Sequence, residues 1–128
     1  MGIMVTGGSG LVGSTINADV KLSSKDADLR NWNETISIFE KYKPKEVIHC
    51  AGKVGGVGSN MNYKGEFFYD NIMINTNVLE ACRITGVKKV VSFLSTCIFP
   101  DDIEYPLTEK KIHIGEPHNS NYAYAYAK

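Results

Sequence analysis

Short apolar runs that end in glycine or serine alternate, along this chain of 128 residues, with longer stretches whose apolar positions keep helical spacing. Ile3 to Val5 form the first run, which breaks into "TGGSGLVG" and then an apolar helix start. A buried strand feeding a glycine-rich turn is the opening of a βαβ unit. "DVKLSS" is a short strand candidate, followed by the polar "KDADLRN". Asn31 and Glu34 stand at capping-box spacing ahead of Ile36, Phe39 and Tyr42, and Pro44 closes that helix. "EVIHCAG" reads as a third buried strand. From about Asn62 to Thr85 a long helix is expected, with Phe67, Ile74, Val78, Ala81 and Cys82 in rhythm and Gly86 as its stop. "KKVVSFLST" is a fourth strand that runs into "CIFP". The alternation predicts an α/β doubly wound parallel sheet, a Rossmann fold, with its four strands in the order 3-2-1-4. Asp101 to Ser120, containing Pro106 and Pro117, reads as a loop of about twenty residues, a length that is usually functional or mobile.

The first crossover is short. Only Ser14 to Leu22 lie between Gly13 and Ser23, whereas a parallel crossover needs about a dozen residues or more. Either its helix is clipped to little more than a turn or the unit is distorted, which leaves the position of Lys25 open.

Composition narrows the function classes. Hydrophobic residues make up 43% and charged residues 22%, ordinary for a chain that builds a core, and fourteen basic residues balance fourteen acidic ones. Nothing in that balance marks a nucleic-acid or anionic-membrane surface, so an anionic ligand must be held by local geometry. Cys50, Cys82 and Cys97 lack C-x-x-C spacing and read as reduced thiols. His49, His113 and His118 lack metal-ligand spacing, and no metal is expected. No apolar stretch reaches the roughly 18 residues of a membrane span, so the cytoplasm is the default location.

Gly7, Gly10 and Gly13 form a G-x-x-G-x-x-G array with Ser9, Leu11 and Val12, placed directly after a strand where a backbone can approach a pyrophosphate. At the tip of the second strand Lys25 stands beside the hydroxyls of Ser23 and Ser24. A basic residue there accommodates a 2′-phosphate and favours NADP over NAD, although a solvated loop lysine fits the same position. The chain ends in "NYAYAYAK". As a strand this would put Tyr122, Tyr124, Tyr126 and Lys128 on one face, and as a helix it would pair Tyr122 with Tyr126 and Tyr124 with Lys128.

Together "TGGSGLVG", "SSKDADL", "VIHCAGKVGGVGSN", "NVLEAC", "VVSFLSTCIFP" and "YAYAK" resemble the N-terminal half of the GDP-L-fucose synthases, in the extended short-chain dehydrogenase/reductase family. "KVGG" and "STCIFP" separate that group from sister sugar-nucleotide epimerases and dehydratases. The resemblance implies an NADPH-dependent epimerisation of GDP-4-keto-6-deoxy-D-mannose at C3 and C5, followed by reduction at C4. It puts Y-x-x-x-K on a helix, with Tyr124 as proton donor and Lys128 lowering its pKa and holding the nicotinamide ribose. Ser95 would hydrogen-bond the 4-keto oxygen; without the resemblance it reads as a strand-end hydroxyl satisfying backbone. Cys97 would move protons in the epimerisations and reads equally as a core cysteine. Asp28 and Leu29 would lie against adenine, and Ala51 and Gly52 would pass the cofactor. Val54, Gly55 and Gly56 would form the substrate-side loop, and Asn71 would buttress the site.

The same resemblance makes residues 1–128 the N-terminal part of an NADP-binding Rossmann domain with its C-terminal substrate domain absent. A chain of this extent is expected to be inactive alone, and the full-length family to be homodimeric. A neighbouring sugar-nucleotide epimerase or dehydratase, or a non-catalytic dinucleotide-binding remnant, are the alternative readings.

Overall fold

A computed structural model describes residues 2–128. Its central feature is a parallel sheet of four strands, β1 (Ile3–Thr6), β2 (Val20–Leu22), β3 (Glu46–His49) and β4 (Lys89–Ser92), in the order β2-β1-β3-β4. The helices are α1 (Trp32–Tyr42), α2 (Val57–Asn62), α3 (Lys64–Thr85) and α4 (Tyr122–Ala127). Two compact units emerge. The first runs to Gly52 and resumes over Met73–Phe93, so it holds the sheet; the second comprises Lys53–Ile72 with Leu94–Lys128. Among the described residues no helix is long and apolar enough to cross a membrane.

The parallel sheet is as expected, but the strand order is not 3-2-1-4: β3 lies beside β1, not outside β2. The burial of the strands explains the choice. β1 is central in either order, but β2 carries the exposed Lys21, a side chain suited to an edge, so β3 takes the free side of β1. Lys89 and the exposed residues of β4 mark the opposite edge.

Register places Met4, Val20, Leu22, Val47 and Val90 on one sheet face. Phe39 of α1 and Val78, Ala81 and Cys82 of α3 join Met4, Leu22 and Val47 in a single buried cluster. The remaining crossover, from β1 to β2, runs in the opposite sense across the sheet, and right-handedness assigns it to the other face. There it amounts to one 3-10 turn, Gly13–Thr15, so the helix expected to open after the glycine array is clipped. In place of helix packing, the Lys21 ammonium donates to the Ser14 carbonyl at 2.7 Å.

Local signals behave as the sequence suggests. The Asn31 side chain accepts from the N–H groups of Asn33 and Glu34 and starts α1. Glu34 does not return the bond to Asn31; its carboxylate accepts instead from the Asp28 N–H. α3 stops at Gly86, whose φ of 74° suits a residue without a Cβ, and the Val87 N–H reaches back to the Cys82 carbonyl. In the second unit α2 forms where the glycine-rich sequence suggests a loop, since Gly55 and Gly56 precede it and Gly58 lies inside it. The loop after Pro100 is closed by a bridge between Pro100 and Pro117 and holds a further 3-10 turn, Glu109–Lys111.

Phe39 is fully buried, so Phe39→Ala should lower unfolding free energy by about 3–5 kcal/mol in urea titration. Burial pushes the Cys82 thiol up to about 11, which keeps it protonated and unreactive at neutral pH. In native chain treated with iodoacetamide, Cys82 should therefore be alkylated last of the three cysteines, and peptide mass mapping would show the order.

Candidate active site

The sequence-predicted residues fall into two groups, one on each unit. On the first unit, the turn after β1 is built on Gly7, whose φ is 71° and whose α-carbon faces the backbone of Cys50 and Ala51. A Cβ on Gly7 would lie 2.8 Å from the Ala51 nitrogen, so only glycine lets the turns after β1 and β3 come this close. A Cβ on Gly13 would run into the Gly7 carbonyl oxygen. The Gly10 N–H donates to the Gly7 carbonyl, the Ser14 N–H to the Gly10 carbonyl, and the Gly8 N–H to Leu22 of β2. Ser9, Gly10, Leu11 and Val12 are left exposed at the tip. Ala51 and Gly52 follow β3, at the point where the chain steps from one side of β1 to the other, the usual ligand crevice of an open α/β sheet.

Beyond β2, Ser23 and Asp26 close a tight turn: the Asp26 carboxylate accepts from both the backbone and the hydroxyl of Ser23 and is held below its usual range by them. Lys25 is exposed on this turn, its N–H donating to the Ser23 hydroxyl at 3.3 Å. The Asp28 carboxylate, held low by its hydrogen bonds from Arg30, lies next to the half-buried Leu29. The Leu29 carbonyl accepts from Asn77 of α3.

On the second unit, Ser95 caps a 3-10 turn, Thr96–Ile98, by accepting from the Cys97 N–H at 3.2 Å. Tyr124 sits on α4, which settles the geometry of the terminal repeat as helical: Tyr122 and Tyr126 meet at 4.7 Å between ring centroids, one turn apart. Ser95, Cys97 and Tyr124 come together here. Burial pushes the Tyr124 phenol up from its usual value, a hydrogen bond from the Ser95 hydroxyl pulls it partly back, and Cys97 adds to the rise. This direction is opposite to the lowering expected from Lys128. Lys128 ends α4, with its N–H directed to the carbonyls of Tyr124 and Ala125, and burial is the largest influence on the phenol. Cys97 is half-buried and lines a cavity of about 240 Å³ shared with Thr96, Asp101, Tyr105, His118 and Asn121.

Val54, Gly55 and Gly56 form an exposed loop that is firmly anchored. Asn71, fully buried, accepts from the Lys53 N–H and donates to the Lys53 carbonyl, both at 2.9 Å, so it holds one end of the loop from α3. Asn60 holds the other end by donating to the carbonyls of Gly55 and Gly56. Lys53 itself is a residue that sequence reasoning passed over. Its ammonium is paired with Glu66 and with Asp70 at 3.0 Å, and the Glu66 bond, then the Asp70 bond, raises its pKa. Its one visible signal was its place at the head of the "KVGG" run. His118 was likewise missed as a neighbour of Cys97 in the cavity, since nothing in the spacing of residues 97 and 118 announces it.

Residues 3–128 match the model of the NAD dependent epimerase/dehydratase family. The chain is 53% identical over 137 aligned positions to a GDP-L-fucose synthase of Dictyostelium discoideum, and 47% identical to a probable GDP-L-fucose synthase of Drosophila melanogaster. In both cases 98% of this chain is covered and 43% of the relative, so the chain spans less than half the length of these relatives. Among solved structures it resembles a GDP-L-fucose synthetase from Naegleria fowleri bound to NADP, with a TM-score of 0.86 and 51% identity over 99% of this chain and 44% of that one. Sheet, glycine turn and matched length agree: the chain belongs to the NAD dependent epimerase/dehydratase family.

Proposed function

We propose that this chain is the N-terminal, NADP-binding part of a GDP-L-fucose synthase, acting on GDP-4-keto-6-deoxy-D-mannose. The observation that carries the reading is the cluster of Ser95, Cys97 and Tyr124 on a chain about half identical to such enzymes. The cofactor fits the residues present: Gly7 and Gly13 let the turn close on its own backbone and on the Ala51 turn, and Ser9, Gly10, Leu11 and Val12 stay exposed at its tip. NADP, in place of NAD, is supported by the NADP bound to the Naegleria relative and by the exposed Lys25 beyond β2.

When bound, NADPH supplies the hydride that reduces C4. The protein's own part is to hold the C4 oxygen and move protons. Tyr124 donates its phenolic proton to that oxygen, and a raised pKa keeps the proton in place until it is needed. The Ser95 hydroxyl bonds the same oxygen and steadies the phenolate left behind. Polarising the carbonyl also acidifies the carbons on either side of it, so one oxygen-binding pair serves both epimerisation and reduction. Cys97 exchanges the proton at C3 or C5, with the cavity giving its thiol access. Lys128 holds the nicotinamide ribose, Asp28 and Leu29 flank adenine, and the Val54–Gly56 backbone meets the sugar, with Asn71 keeping it in place. A homodimer and a cytoplasmic location belong to the same proposal and are supported by the family resemblance.

Calorimetric titration of the chain with NADPH tests the cofactor part. Saturable binding is expected, weakened roughly tenfold or more, ~1.4 kcal/mol, by Gly10→Trp at the exposed tip of the turn. A folded chain that binds no NADPH overturns the reading. Spectrophotometric titration tests the proton donor: the difference between the chain and Tyr124→Phe should report a tyrosine ionising above the ordinary value of about 10. Ser95→Ala should move that transition higher still, because the hydroxyl that favours the phenolate is gone.

A further inference from the structure

His49 is a titratable side chain that the proposed chemistry does not use, yet it is 1% exposed, on the sheet face it shares with Met4, Thr6, Leu22 and Val47. Its partners define its state. Nε2 lies 2.9 Å from the Asn75 carbonyl oxygen on α3, an atom that only accepts, so Nε2 carries the ring proton. Nδ1 is therefore an acceptor, and it takes the Thr6 hydroxyl proton at 2.6 Å. The Thr6 oxygen, fully buried, receives in turn the Ala51 N–H at 3.4 Å. The chain of bonds thus runs from α3 through β3 and β1 into the turn after β3, all within the first unit.

It ends where the two cofactor turns meet. Thr6 is the last residue of β1 and precedes Gly7; Ala51 stands two residues beyond His49 and is the residue whose backbone meets Gly7. Thr6 and His49 are also register partners in a pair of strands only four residues long. Apolar side chains pack against one another in several nearly equivalent ways, whereas a buried donor-acceptor chain is satisfied in only one register.

We propose that His49 is a positioning residue for the dinucleotide, which through Thr6 fixes the Ala51 turn against the Gly7 turn. The inference rests on the NADP-binding reading and adds a residue to it. The alternative is a core histidine whose hydrogen bonds merely avoid a burial penalty, and in that case all substitutions at the site should act through global stability alone.

Three variants separate the two. His49→Asn keeps an acceptor near Nδ1 and loses the Asn75 bond, His49→Gln reaches Asn75 and loses the Thr6 bond, and Thr6→Val removes the hydroxyl. Each is measured for NADPH affinity by calorimetry, for amide hydrogen exchange at Gly8 and Ala51, and for urea stability. Thr6→Val and His49→Gln are expected to weaken NADPH binding by about tenfold and to speed Ala51 exchange, while His49→Asn stays within about threefold of wild type. Affinity and exchange that track urea stability alike in all three variants, or do not change, overturn the proposal. Wild-type chain that binds no NADPH would sink the cofactor reading, and Ala51 exchange would still decide the role of His49. Where one of these variants does not fold, Thr6→Ser keeps the hydroxyl and Thr6→Ala removes it; Ala51 exchange faster in Thr6→Ala than in Thr6→Ser supports the proposal, and equal exchange in the two overturns it.

Discussion

Backbone meets backbone where Gly7 faces Ala51, and much of the first unit is arranged around that contact. The approach requires β3 to lie directly beside β1, which the observed strand order provides and the expected one would not. It requires glycine at the position that turns left-handed, and a second glycine at residue 13 so that the returning chain can pass the Gly7 carbonyl. It places both turns at the carboxyl end of the sheet, where the strand order switches from one side of β1 to the other and no side chain stands between them. Phosphate recognition by such a site is a matter of bare backbone, consistent with a chain whose net charge is zero.

The second unit works by different means. Its proposed reactive groups are side chains on short elements, a 3-10 turn capped by Ser95 and carrying Cys97, and a six-residue helix for Tyr124. Short elements hold position only when tied down. The Ser95 hydroxyl caps its own turn while reaching the phenol, and Asn71 and Asn60 grip the glycine loop at its two ends. Lys53 adds an ion-pair anchor to α3. Its Asp70 partner is buried and its Glu66 partner half-exposed, so the two bonds contribute unequally to holding the loop.

What could be read in the sequence was what is decided locally. Asn31 starts its helix and Gly86 stops another through bonds to residues a few positions away, and counting residues from Gly13 to Ser23 shows a first crossover that must be clipped or distorted, of which the structure has the clipped form. Strand order was not legible, because the choice between the outer edge of β2 and the free edge of β1 depends on burial that only the assembled sheet defines. α2 was hidden by glycines that suit a loop as well as a helix start. The direction of the Tyr124 shift was misread for a similar reason: Lys128 is visible one helical turn away in sequence, whereas the burial of the phenol is not. His49 showed only as a histidine in an apolar strand, and its meaning came from Thr6 and Asn75, which sequence places far from it.

The clipped crossover leaves β2 as a three-residue edge strand, bonded to β1 and tied through its own Lys21 to the Ser14 carbonyl, with no crossover helix between β1 and β2. An edge so lightly secured is where partial unfolding of the sheet would begin. Because the Gly8 N–H is hooked onto Leu22, opening of that edge would carry the glycine turn with it while β1, β3 and β4 stayed paired. Ligand capture and closure of the sheet edge would then be one thermodynamic event: whatever occupies the turn draws β2 shut, and part of its affinity is spent on folding.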